Sequence, residues 1–118
     1  MKKIYHLSSC STCQRILGEV GAVEKGVKLQ DIKSEPIMPA QLDEMKALSG
    51  TYESLFSRRS MKYRPMGLHE KTLTENDYRD LILQEYTFLK RPVAIIGKKI
   101  FVGNDKKTVE ALKNELAG

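Results

Sequence analysis

Cysteine is nearly absent from this chain. It has two, Cys10 and Cys13, and both fall in one stretch, HLSSCSTCQR. No apolar run approaches the roughly 20 residues that a membrane-spanning helix needs. The opening, MKKIYHLSSC, has a short basic start but lacks the apolar core of about 7–15 residues that marks a secretory signal. These absences point to a cytoplasmic protein, in a compartment where thiols are kept reduced and a disulfide is more often transient than structural. Internal repeats, low-complexity tracts and interdomain linkers are also missing. A single domain over residues 1–118 is expected, large enough to bury about two-thirds of its unfolded surface.

Twenty basic residues against fifteen acidic ones leave a formal charge of +5. That balance suits an anionic substrate or an acidic partner, and it is also common in proteins with neither. One local cluster stands out, Arg58, Arg59, Lys62 and Arg64 around Tyr63. Phosphate contact with aromatic stacking, an oxyanion or glutathione-carboxylate site, and a solvated loop all fit it. Direct nucleic-acid binding is not the expected use.

The apolar spacing gives a coarse map. KKIYHL (2–7) reads as a strand that ends in a polar loop. Cys13, Ile16, Leu17 and Val20 then recur at i, i+3, i+4, i+7, the stripe of an amphipathic helix, with Gly21 as its stop. GVKLQDI (26–32) reads as a second strand, with Val27, Leu29 and Ile32 near one face. Pro36 and Pro39 break the chain before a short helix carrying Leu42, Met45 and Leu48, closed by Gly50. Tyr52, Leu55 and Phe56 suggest a further helical turn. Thr74 and Asp77 form a capping-box pattern ahead of Tyr78, Leu81 and Ile82. VAII (93–96), a GKK turn and IFV (100–102) read as a β-hairpin, and Asp105 caps a final helix with Val109, Leu112 and Leu116. The order βαβ, helices, ββα predicts an α/β protein with a mixed sheet.

The cysteines sit where the first strand meets the first helix. There the leading sulfur faces unsatisfied N–H groups and the positive end of the helix dipole, both of which favour thiolate. In that reading Cys10 is a nucleophile, and Cys13, about one helical turn on, is the thiol that resolves a mixed disulfide. Two other readings stay open. Zinc usually takes four ligands, and Cys10, Cys13 and His6 offer three. Cys13 also fits as a small apolar member of the helix stripe. A protonated His6 at the end of the strand would lower the thiol pKa further. Arg91, ahead of Pro92 and the hairpin, would present a fork of donors to an oxyanion. Proline enters a strand only where no ladder N–H is needed, and a cis peptide is compatible with that position.

The IYH opening, the loop with Cys10, KRPV at 90–93 and the closing hairpin and helix together resemble the ArsC/Spx family, over essentially the whole chain. The resemblance implies a thioredoxin-like fold with a helical insertion at about 38–88. For the arsenate reductases of that family it implies that Cys10 attacks arsenate and that His6 assists the thiolate. Glutathione and glutaredoxin then supply electrons, with no bound cofactor or metal. Three arginines hold the oxyanion in those enzymes. Arg91 matches one of them, followed by a proline, Pro92, that is typically cis. Ser57, with Arg58 and Arg59 beside it, stands at the second position, and the third falls near Gly103. Ser9, Ser11 and Thr12 around Cys10, with Arg58, Arg59 and Pro92, are the candidate substrate contacts.

The Spx-like branch is matched by the C-x-x-C itself, by Ser34-Glu35-Pro36, by Ser57, Arg59 and Ser60, and by IFVG at 100–103. It implies a redox-sensing regulator that binds the C-terminal domain of the RNA polymerase α-subunit. The reading preferred from the sequence is a thiol-dependent oxidoreductase acting on a small oxyanion or a mixed disulfide, with glutaredoxin as a partner. The regulator is the alternative.

Overall fold

The computed structural model describes residues 1–118. Four strands form one mixed sheet: β1 (Lys2–His6), β2 (Lys28–Asp31), β3 (Val93–Ile96) and β4 (Lys99–Val102), in the order β2-β1-β3-β4. β2 runs parallel to β1, and β3 is antiparallel to both β1 and β4. A parallel pair needs a crossover, and α1 (Ser11–Glu19) supplies it between β1 and β2. The chain ends in α4 (Lys106–Ala117), capped by Asp105, whose carboxylate accepts from the Thr108 N–H at 3.2 Å.

One face of the sheet carries Ile4, Ala94 and Ile96. The stripe expected for α1, Ile16, Leu17 and Val20, packs there together with Leu112 and Leu116 of α4. Cys13 belongs to the same helix face and is wholly buried. Two details depart from the sequence pattern. Leu29 is 39% exposed, while its neighbour Gln30 is buried and donates to the Glu35 carbonyl at 3.0 Å. β2 is an edge strand, so an apolar side chain on its outer margin has too little of the sheet beside it to be covered. The hairpin turn is also shorter than GKK, because Lys99 already pairs with Ile96. Gly97, at φ 64°, takes the left-handed conformation that this turn requires.

The chain has two compact units, residues 1–36 with 91–118, and residues 37–90. The second contains α2 (Pro39–Ser49) and α3 (Glu75–Gln84), with short 3-10 turns at Glu53–Leu55, Leu68–Glu70 and Tyr86–Phe88. Its centre is aromatic. Phe56 stacks on Phe88 at 5.1 Å between ring centroids and lies 4.9 Å from Tyr78. Asp43 of α2 takes a two-pronged contact from Arg79 of α3, at 2.9 and 3.2 Å, and a hydrogen bond from the Tyr52 hydroxyl at 2.6 Å. Those donors, Arg79 first, hold the Asp43 carboxyl at a pKa of about 2.

The capping box expected at α3 is present. Thr74 Oγ1 accepts from the Asp77 N–H at 3.2 Å, and Asp77 Oδ2 accepts from the Thr74 N–H at 2.8 Å. Replacing Thr74 by Ala removes one of these bonds and is expected to cost about 1 kcal/mol, whereas Thr74→Ser should cost much less. Urea unfolding measures this as a lower midpoint at unchanged slope.

Candidate functional site

The first unit places His6, Cys10, Cys13, Arg91 and Pro92 along one sheet end and the helix that leaves it. β1 stops at His6, and a short loop turns the chain into α1, with the Cys10 N–H donating to the Leu7 carbonyl at 3.0 Å. Cys10 is the residue that opens the helix. Its backbone is extended (φ −94°, ψ 109°), and its carbonyl accepts from the Gln14 N–H at 3.1 Å. A serine or aspartate usually occupies such a position because its oxygen accepts from the free N–H groups of the first turn. The Cys10 side chain closes no such cap bond. Its sulfur instead faces N–H dipoles that favour the anion.

The two thiols are made unequal by their surroundings. Burial pushes the Cys10 thiol up. The N–H and thiol of Cys13, the Arg91 guanidinium and the Thr12 N–H outweigh it, and the net shift is downward. Cys13 is pushed up to about 11, chiefly by burial and then by Cys10 itself, against the opposing pull of Leu7 and Arg91. Cys10 is thus the more readily ionised of the two sulfurs, and Cys13 beside it keeps its proton to far higher pH.

Arg91 acts on both sulfurs. The peptide bond that follows it, Arg91–Pro92, is cis. Pro92 is buried, and its carbonyl accepts from the Gly103 N–H at 2.9 Å. Two guanidinium nitrogens of Arg91, Nε and Nη1, are buried with no hydrogen-bond partner. Buried donors are nearly always paired, so a cation left open in this way marks a place where an acceptor belongs.

His6 is buried at the end of β1. Burial lowers its pKa, and the Asp31 carboxylate, opposite it on β2, pulls the other way. Asp31 also ties down the loop before Cys10, accepting from the Ser8 N–H at 3.3 Å and the Lys33 N–H at 3.2 Å. Around Cys10, Ser9 and Ser11 are exposed and Thr12 is half-buried. Arg58 and Arg59 lie in the 37–90 unit. There Arg58 pairs with Glu53 at 2.7 Å and donates to the Tyr78 hydroxyl at 3.0 Å, and Arg59 is exposed. Two residues that the sequence reading passed over also belong to the site: Gln14, at i+4 from Cys10 on α1, and Asp31. The first was legible from helical spacing. The second depends on the register of a parallel strand pair, which no local pattern reveals. No group of three or more His, Cys, Asp or Glu side chains is placed to hold a metal ion.

The model of the ArsC family matches residues 5–112. The chain belongs to the ArsC family. Among its relatives is YusI of Bacillus subtilis, itself uncharacterised, 30% identical over 105 residues that span 84% of this chain and 86% of that one. The global transcriptional regulator Spx of Enterococcus faecalis is 28% identical over 108 residues, spanning 87% of this chain and 79% of the regulator. Among solved structures, an arsenate reductase from Vibrio cholerae superposes with a TM-score of 0.77 at 14% identity, covering 94% of this chain and 96% of that one. At that identity the likeness speaks for the fold alone. The ArsC membership and the thioredoxin-like α/β fold expected from the sequence are both borne out. No helix of this chain is long and apolar enough to cross a membrane.

Proposed function

We propose that this ArsC-family protein is a cytoplasmic, thiol-dependent oxidoreductase that reduces a small tetrahedral oxyanion of the arsenate type. Cys10 is the nucleophile, Cys13 the resolving thiol and Arg91 the oxyanion holder. The observation that carries this reading is the Arg91 guanidinium, with Nε and Nη1 buried and unpaired while its charge acts on the sulfurs of both cysteines. An oxyanion is the ligand that such a fork suits, since it offers two acceptor oxygens and a compensating charge.

The chemistry balances within the site. The Cys10 thiolate attacks arsenic, a sulfur–arsenic bond forms, and one hydroxyl of the oxyanion leaves as water, taking its second proton from solvent. Cys13 then attacks the Cys10 sulfur, and its proton passes to an oxygen of the departing group. The disulfide forms, the sulfur–arsenic bond breaks, and its electron pair stays on arsenic, which leaves as arsenite. The two thiols have supplied two electrons. Glutathione, with glutaredoxin, is the proposed donor that returns the disulfide to the dithiol. A mixed disulfide suits the same pair of thiols, with the departing thiol in place of arsenite. Ser9, Ser11 and Thr12, at the start of α1, are proposed to contact the substrate, and so is Pro92.

The test is arsenate-dependent NADPH oxidation, coupled through glutathione, glutathione reductase and glutaredoxin, with arsenite measured directly. Turnover is expected in the wild type. Absence of arsenite in folded, reduced protein would contradict the reading. The C-x-x-C, together with the likeness to Spx, favours a second reading, a redox-sensing regulator that binds the RNA polymerase α-subunit. Redox-dependent co-purification of that subunit, without turnover, would select it.

A further inference from the structure

We infer that Gln14 is a positioning residue that holds His6 as the neutral imidazole protonated on Nε2, so that the positive charge at the thiol pair belongs to Arg91 and not to an imidazolium. This deepens the redox reading and rests on it for the consequence at Cys10. The assignment of the tautomer stands on geometry alone.

Gln14 Nε2 lies 3.2 Å from the Leu7 carbonyl oxygen and 3.3 Å from His6 Nδ1. A backbone carbonyl accepts and never donates, so the group of Gln14 that faces Leu7 must be its NH2. That same nitrogen has a second hydrogen, and His6 Nδ1 is the atom it meets. A donor pointing at Nδ1 requires a lone pair there, which leaves the ring proton on Nε2. Protonating the ring fully would set N–H against N–H across this contact. Gln14 therefore disfavours the imidazolium as well as the other tautomer.

The surroundings of His6 act in the same direction on balance. Burial of the ring lowers its pKa, and the Asp31 carboxylate on β2 opposes this without reversing it. β3, VAII, carries no titratable side chain, and its register with β1 ends at Tyr5 opposite Val93. From α1 the polar group that meets the ring is Gln14. At the sulfur, the groups that draw Cys10 toward the thiolate are the N–H and thiol of Cys13, Arg91 and the N–H of Thr12. A neutral His6 leaves the ring as a hydrogen-bond donor through Nε2–H. It also shifts the pH at which the ring would bring a positive charge to the site below the ordinary histidine value.

Long-range proton–nitrogen NMR of the uniformly labelled full chain tests this, because the protein has only two histidines. A His69→Gln variant assigns the spectrum. The wild type is expected to show a bare Nδ1 and a protonated Nε2, with a His6 midpoint below the ordinary value of about 6.5. In Gln14→Glu the new carboxylate should accept a hydrogen bond from Nδ1–H and raise the His6 midpoint by about one pH unit or more. In Gln14→Leu the preference for Nε2–H should weaken. A protonated Nδ1 in the wild type, or a Gln14→Leu spectrum identical to wild type, would overturn the role of Gln14. Cys10 alkylation followed by pH on the same wild-type sample should show no inflection at the His6 midpoint, and an inflection there would restore the imidazolium as the source of charge. These readouts do not depend on turnover. A chain that shows the expected tautomer but reduces nothing would reject the oxidoreductase reading and leave this one standing.

Discussion

Cys10→Ser is expected to reduce arsenite production to background, while Cys13→Ser stops the reaction one step later. The asymmetry follows from the two environments. Cys10 opens α1 with its sulfur toward N–H dipoles and Arg91, and its pKa lies below the ordinary range. Cys13 is wholly buried and keeps its proton up to about 11. Serine at position 10 has the wrong nucleophile, since its hydroxyl stays protonated where the thiol ionises. Serine at position 13 leaves the first attack intact but provides nothing to release the product. Incubated with oxidised glutathione, Cys13→Ser should accumulate a species heavier by one glutathione, and the wild type should pass through it to the internal disulfide. Intact-mass spectrometry separates these cases. A stable glutathione adduct on Cys13 in the Cys10→Ser protein would reverse the assigned roles.

Arg91→Met should change activity and stability in opposite directions. Its Nε and Nη1 are buried without partners, and an unsatisfied buried donor costs on the order of 1–3 kcal/mol. An apolar side chain of similar length removes that cost, so the variant is expected to unfold at a higher denaturant midpoint, by roughly 1 kcal/mol. Activity should fall on the order of 10²–10³-fold, the size seen when one donor to a developing oxyanion is lost. Arg91→Lys keeps the charge but not the fork. It is expected to retain a lowered Cys10 pKa while binding the oxyanion poorly. Destabilisation by Arg91→Met, with turnover unchanged, would mean that the guanidinium serves the fold and not a ligand.

The parts of this protein that were legible in its sequence are those written in local spacing. Thr74 and Asp77 stand three apart and bond each other, Asp105 caps α4 through the Thr108 N–H, and Ile16, Leu17 and Val20 meet the sheet as their period demands. Local patterns cannot say where in a sheet a strand will lie. Leu29 and Gln30 therefore exchange their expected burial, because β2 forms the edge. The site divides in the same way. Cys10 at a helix start was readable from the strand-to-helix junction. Asp31 comes opposite His6 only through the β1–β2 register, and the unpaired state of Arg91 depends on everything folded around it. The difference in pKa between two thiols in one short motif likewise comes from depth of burial, which spacing alone does not encode.

The central claim is that Cys10 is an activated thiolate beside a protonated Cys13, and iodoacetamide alkylation as a function of pH tests it most directly. Reduced wild-type protein would be sampled across the pH range and each cysteine followed by peptide mass spectrometry. The expected result is a Cys10 midpoint below the ordinary value of about 8.5, with Cys13 unreactive until far more alkaline pH. A Cys10 midpoint at or above that value, or alkylation of Cys13 first, would contradict it.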